Sequence, residues 1–243
     1  MSVRKTKPAS SIVQKVETVA PPVAPSFSRP PLPALQGASD ASRVVGILTA
    51  CGIGNWKNPG GTDKEQLASG EPGPGHHSYG AVYEAIVNWL QNNGGIKSVL
   101  EIGVQRGGSL LLWQEMCPGA KVVGIDIENQ IHEKVLSRLD SDGVTTFWGD
   151  GYSPEIVAKV KACGEFSLII DDGPHTFKSQ KKFIEQYLPL LAKGGVAVIE
   201  DIQSEEAMLE LAKAVPSGYC YQAIDRREVN GRWDDLMLVI EEG

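Results

Sequence analysis

Residues 98–113 read SVLEIGVQRGGSLLLW, and this stretch decides the fold. Ser98–Ile102 is a short, largely apolar run, the pattern of a buried strand. Gly103, Gly107 and Gly108 follow, allowing a tight turn and close approach of the backbone to a ligand. A helix is predicted to begin near Gly108–Ser109, so that its free amide groups point beyond the end of the strand.

The same rhythm continues outward. Apolar runs at Lys121–Ile127, Val144–Trp148, Phe166–Ile170 and Val196–Ile199 predict further strands. Helical spacing separates them, as in Phe183, Ile184, Tyr187, Leu188 and Leu191, and again in Met208, Leu211, Ala212 and Val215. Upstream, Tyr83, Ile86, Val87 and Leu90 mark an amphipathic helix that Asn93-Gly94-Gly95 stops. Downstream, Tyr221–Asp225 and Leu236–Glu241 flank Asn230-Gly231, a hairpin-turn signal. The expected fold is α/β, a doubly wound, mostly parallel seven-stranded sheet ending in an antiparallel hairpin.

A chain of 243 residues accommodates one such domain with a short appendage. Residues 1–42 are rich in Pro, Ala and Ser, a composition too poor in apolar surface to offset the entropy of ordering, and are read as a disordered leader. Its basic start, Arg4, Lys5, Lys7 and Lys15, leaves two readings open, an organellar transit segment or a simple docking tail. Residues 43–95 are assigned to a lid or acceptor-binding segment and 96–243 to the core. A net charge of −7 argues against a broad nucleic-acid surface, and no apolar run is long enough for a membrane span. Cys51, Cys117, Cys163 and Cys220 are scattered without pairing motifs, as expected for reduced thiols in the cytoplasm.

Acids at the strand ends carry the chemistry. The dinucleotide pattern GxGxxG is broken at Gln105, and the Lys-Ser/Thr pair of a P-loop is missing. Instead Glu101 precedes the glycine turn, Asp126 ends the second strand and Asp150 follows the third. The fourth and fifth strands end in SLIIDDGPHTF and GGVAVIEDIQS, which bring Asp171, Asp172, Glu200 and Asp201 to one rim. Converging carboxylates repel one another unless a cation sits between them, and an all-oxygen set favours Mg²⁺ or Mn²⁺. His175, three residues after Asp172, is the candidate general base for a hydroxyl, whereas His132 reads as an exposed helical residue.

Together these segments resemble the sugar O-methyltransferases of macrolide biosynthesis, of the mycinamicin and macrocin type, within the class I S-adenosylmethionine-dependent methyltransferases. The resemblance rests on EIGVxxGGSLxxW, VxGIDI, IIDDGxH and GGxxxIEDI, and runs from GTDK at Gly61–Lys64 to Asp201. It implies a Rossmann-like fold and cofactor contacts from Glu101, Gly103, Gln105, Gly107, Ser109, Asp126, Asp150 and Asp171. It also implies Asp172, Glu200 and Asp201 as metal ligands and His175 as base. Thr62, Asp63, Lys64, His77 and Tyr79, with Tyr83, would lie on the acceptor side. The implied partner is a small-molecule or glycosylated acceptor, with no nucleic acid or membrane, and a homo-oligomer is compatible. Pro174 and Ile202-Gln203-Ser204 depart from the family pattern, so the acceptor pocket is expected to differ. A dinucleotide-binding domain, a catechol-type methyltransferase and a non-catalytic scaffold are the competing readings.

Overall fold

The computed structural model describes residues 30–52, 62–65, 76–140 and 143–242. Seven strands form one sheet: β1 (Ser98–Ile102), β2 (Lys121–Asp126), β3 (Val144–Trp148), β4 (Phe166–Asp171), β5 (Leu191–Ile199), β6 (Tyr219–Asp225) and β7 (Leu236–Glu242). Their order is β3-β2-β1-β4-β5-β7-β6. The first five are parallel, and β7 runs antiparallel to both β5 and β6. The expected architecture is therefore observed. Strand order reverses between β1 and β4, and in open sheets of this kind the carboxyl ends at such a point form the ligand crevice.

Alternation along the strands builds two cores. Val99, Leu168, Ile170, Val196 and Val198 face one layer, with helices α1 (Ser42–Cys51), α2 (Gly80–Asn92) and α3 (Gly108–Met116). Leu100, Ile169, Ala197 and Ile199 face the other, with α5 (Pro154–Lys161), α6 (Phe177–Tyr187) and α7 (Glu205–Ala214). Burial of the sheet on both faces explains why its strands read as continuous apolar runs. A one-turn helix α4 (Glu133–Leu136) precedes β3 and another, α8 (Arg227–Asn230), precedes β7. No described helix is long and apolar enough to cross a membrane.

Three local readings are corrected. His132 is not inside a helix; it is the N-cap of α4, where its Nδ1 accepts the Lys134 amide. Asn230-Gly231 does not make a two-residue turn: the β6–β7 connection is residues 226–235, and Gly231 ends α8 with φ 71°. Residues 30–42 do not belong with a disordered leader. Leu32 and Leu35 are buried, and the segment is strapped to the β6–β7 edge. Leu32 donates its amide to Glu241, and Leu35 donates its own to Gln222. Gln36 exchanges two hydrogen bonds with the Asp225 backbone. Two leucines, spaced to point at the same apolar layer, outweigh the polar and proline-rich average of the stretch. Residues 1–29 of that leader lie outside the described residues.

Candidate active site

The glycine turn after β1 shapes a cleft of about 400 Å³ between the carboxyl ends of β1, β2 and β4. Gly103 has φ 91°, and a Cβ there would lie 1.8 Å from the Asp172 carbonyl oxygen, so only glycine fits. Gln105, at φ 41°, donates its amide to Asp126 Oδ2 at 2.7 Å, and Ile127 donates to Asp126 Oδ1 at 2.6 Å. Asp126 is thus fixed at the tip of β2 with one lone-pair direction left on each oxygen. Asp150 is exposed at the mouth, its Oδ1 accepting the Tyr152 amide.

Of the residues expected to hold a cofactor, Gly103, Gln105, Asp126 and Asp150 line the cleft. Glu101, Gly107, Ser109 and Asp171 do not; they stand behind its wall. Ser109 Oγ donates to Glu101 Oε2 at 2.5 Å, and Gly107 backs onto Ile131 and Val135. Asp171 is buried beneath Tyr152, whose hydroxyl donates to it, and burial raises its pKa to about 7. The cleft also takes Ile102, Ile125, Ile127, Tyr152 and Pro174, none of which the sequence reading assigned. Apolar walls of this kind leave no motif.

Beside the cleft, Lys64 enters from the segment before α2. Its Nζ lies 2.7 Å from Glu200 Oε2, 2.8 Å from Asp172 Oδ2 and 3.1 Å from Glu101 Oε1. The side chain is 1% exposed. Burial opposes the charge, but the three carboxylates outweigh it and hold the Lys64 pKa well above its usual value. Lys64 was expected on the acceptor side; its ammonium is instead committed inside the protein. The remaining oxygen of Glu200 accepts the Tyr83 hydroxyl.

A second cluster surrounds Asp201. His175 Nε2 is 3.6 Å from Asp201 Oδ2 and 3.9 Å from Asp172 Oδ1. The other Asp201 oxygen accepts the Tyr79 hydroxyl at 2.7 Å and pairs with His77 Nε2 at 3.1 Å. His77 Nδ1 meets Asp235, which also accepts from the Ser78 amide and hydroxyl. Burial alone would lower the His77 pKa, but Asp201 and Asp235 together raise it to about 9. Burial likewise opposes the Asp201 charge, yet His77, His175 and Tyr79 bring that pKa down to about 2. His175 is shifted the other way: burial lowers its pKa, with Lys64 and His77 adding to the effect against the pull of Asp201. The result is a charged His77 and a neutral His175 on either side of one carboxylate.

Thr62, Lys64, His77 and Tyr79 are buried, so they frame the site rather than line its opening; Asp63 is partly exposed and pairs with Arg232 at 3.4 Å. Asp235 and Arg232 were missed. Their signal was available: an antiparallel last strand starts at the rim where β5 ends, so the WDD stretch at 233–235 had to arrive beside Asp201. Among the described residues, the three non-glycine residues with positive φ are Gln105, His175 and Asp201, and all three lie on this rim. Backbone strain of this kind collects at functional sites.

One ligand atom from each of Asp172, His175 and Asp201 falls within 4.8 Å of the others, so the two carboxylates could share one divalent cation with the imidazole beside it. Of the expected ligands, Asp172 and Asp201 converge there. Glu200 is turned toward Lys64 and Tyr83.

Residues 100–202 match the family model described as a methyltransferase domain. The chain is 31% identical over 112 residues to the demethylmacrocin O-methyltransferase of Streptomyces fradiae, covering 43% of this chain and 27% of that protein. The same figures hold for the mycinamicin VI 2''-O-methyltransferase of Micromonospora griseorubida. The chain therefore spans about a quarter of the length of these two relatives. Identity to the 8-demethyl-8-alpha-L-rhamnosyl tetracenomycin-C 2'-O-methyltransferase of Streptomyces olivaceus is 27% over 192 residues, 76% of this chain and 43% of that one. Among solved structures, the mycinamycin-pathway methyltransferase MycE, in complex with Mg and SAH, superimposes with a TM-score of 0.53 at 22% identity, over 68% of this chain and 50% of that one. An O-methyltransferase from Bacillus cereus in complex with SAH gives 0.52 at 15% identity, over 64% and 79%. These structural likenesses show the fold.

Proposed function

We propose that this chain, with a methyltransferase domain as its core, transfers a methyl group from S-adenosylmethionine to a hydroxyl of a sugar or glycosylated natural product. The observation that carries this reading is the convergence of Asp172, His175 and Asp201 at the edge of a glycine-walled cleft. The relatives named above support the acceptor class.

The sulfonium cofactor would supply the methyl group, and a divalent cation, Mg²⁺ or Mn²⁺, would stabilise negative charge developing on the acceptor oxygen. The cleft fits the first: without a side chain, Gly103 lets the turn after β1 close against the Asp172 backbone, which draws the cleft walls together. Asp126 retains acceptor capacity for ribose hydroxyls, and Asp150 stands at the mouth for the base. The rim fits the second: Asp172 and Asp201 offer the hard oxygen donors such an ion prefers, with Glu200 behind them.

His175 is the general base. A lowered pKa favours the neutral imidazole, and Nε2, the nitrogen facing Asp172 and Asp201, would take the hydroxyl proton. Asp201, oriented by His77 and Tyr79, would balance the imidazolium that results. The exposed rings of Phe177, at the first turn of α6, and Trp233, in the β6–β7 connection, would offer apolar surface to the sugar bearing the hydroxyl. What remains for the protein is to align oxygen, methyl carbon and sulfur.

Radiolabelled cofactor incubated with deoxysugar-bearing glycosides tests the reading. Methylation is expected to stop in EDTA and to return with Mg²⁺. Transfer that persists in EDTA, or absence of SAH binding in calorimetry, would overturn it.

A further inference from the structure

Lys64 has the surroundings of a metal ion rather than of an ordinary buried lysine. Three carboxylates from three adjacent strand ends, Glu101 (β1), Asp172 (after β4) and Glu200 (after β5), lie 2.7–3.1 Å from one nitrogen. An all-oxygen set of three acids is the donor chemistry that hard divalent cations take. A second observation points the same way: among the described residues, Glu101 Oε1, on a fully buried side chain, has no hydrogen-bond partner and stands 3.1 Å from the ammonium as its ion-pair partner. The rings of Tyr83 and Trp113 lie 5.9 and 6.0 Å from that ammonium and complete its cage.

The anchoring is local. The Asp63 carbonyl accepts the His77 amide and the Lys64 carbonyl accepts the Tyr79 amide, which fixes the stem of Lys64 against the start of α2. Among the described residues, one ammonium pairs with all three acids, and it comes from a segment remote in sequence from all of them.

We propose that Lys64 is a resident counter-ion standing in for a divalent cation at a three-carboxylate site, and that it acts as a positioning residue. It holds Asp172 by Oδ2, which leaves Oδ1 facing His175. It also holds Glu101, whose other oxygen takes Ser109 at the start of α3. By filling this inner position it confines exchangeable divalent cations to the outer one, between Asp172 and Asp201.

The proposal is tested by counting bound Mn²⁺ with electron paramagnetic resonance in the wild-type chain, Lys64→Ala and Lys64→Ala/Glu101→Gln. The alanine variant is expected to bind one more ion than wild type, and the double variant is expected to lose that ion. Circular dichroism melts with and without Mn²⁺ cover the case of a variant that needs the ion to fold. Folding restored by Mn²⁺ supports the proposal. An alanine variant that binds no additional ion, or that stays unfolded in saturating Mn²⁺, overturns it. The count is relative to wild type, so failure of the methyl-transfer reading would leave this result standing.

Discussion

His175 Nε2 stands 3.6 Å from Asp201 Oδ2, and both residues reach that separation from a left-handed backbone, at φ 52° and 53°. Each lies just beyond the carboxyl end of its strand, β4 or β5, where the chain turns sharply toward the next helix. Thr176 then caps α6 by accepting the Ser179 amide, and Ser204 caps α7 by accepting that of Ala207. The helices pin the turns, and the turns aim the two side chains at each other.

Loss of the imidazole is expected to reduce turnover without loosening the cofactor. His175→Ala should lower kcat by about 10²–10⁴-fold, the usual worth of a general base. Calorimetry should find SAH affinity within about threefold of wild type, because His175 does not line the cleft. Near-normal turnover would place the base elsewhere.

Stability is expected to fall in mild alkali because of His77. Its pKa in the fold, about 9, exceeds the ordinary value of 6.5, so proton binding favours the folded state. That contribution is complete below pH 6.5 and is lost as pH rises through 9. The difference amounts to at most about 3 kcal/mol. Urea unfolding of wild type and His77→Gln between pH 6 and 9.5 measures it: the variant should show the flatter profile, and parallel profiles would refute the linkage.

Gly103→Ala is expected to abolish cofactor binding and to cost stability by about 3 kcal/mol, since the new methyl group meets the Asp172 carbonyl oxygen and the positive φ disfavours any side chain. SAH titration and thermal melts report the two effects separately.

The strap of residues 30–38 is expected to matter to folding rather than to chemistry. Leu35 is fully buried in the layer that holds α1, α2 and α3, and Leu35→Ala should cost about 2–4 kcal/mol of unfolding free energy. Turnover per folded molecule should be unchanged, as measured after correction for the folded fraction.

Chelation is expected to separate the role of a bound divalent cation from that of Lys64. Dialysis against EDTA should abolish methyl transfer and leave the thermal midpoint within a few degrees, because Lys64, which cannot be removed, neutralises the inner acids. A collapse of the fold on chelation would mean that a metal, not Lys64, holds the rim together.

The amino-acid sequence by itself determined the sheet, its glycine turn and the acids at its rim. Short apolar and β-branched runs such as Ser98–Ile102 and Val144–Trp148 match observed strands end for end. Those features are local, set by backbone sterics and by burial of neighbouring residues, so a linear reading captures them. Partnership is not local. Asp172 and Glu200 read alike as rim acids, but their partners come from Lys64, 108 and 136 residues away. His77 and His175 are chemically identical, yet one is charged between Asp201 and Asp235 while burial leaves the other neutral. Only the tertiary structure decided which carboxylate faces a lysine, which a histidine and which the cleft, because ion pairing depends on distances of a few ångströms between segments that the chain order keeps far apart.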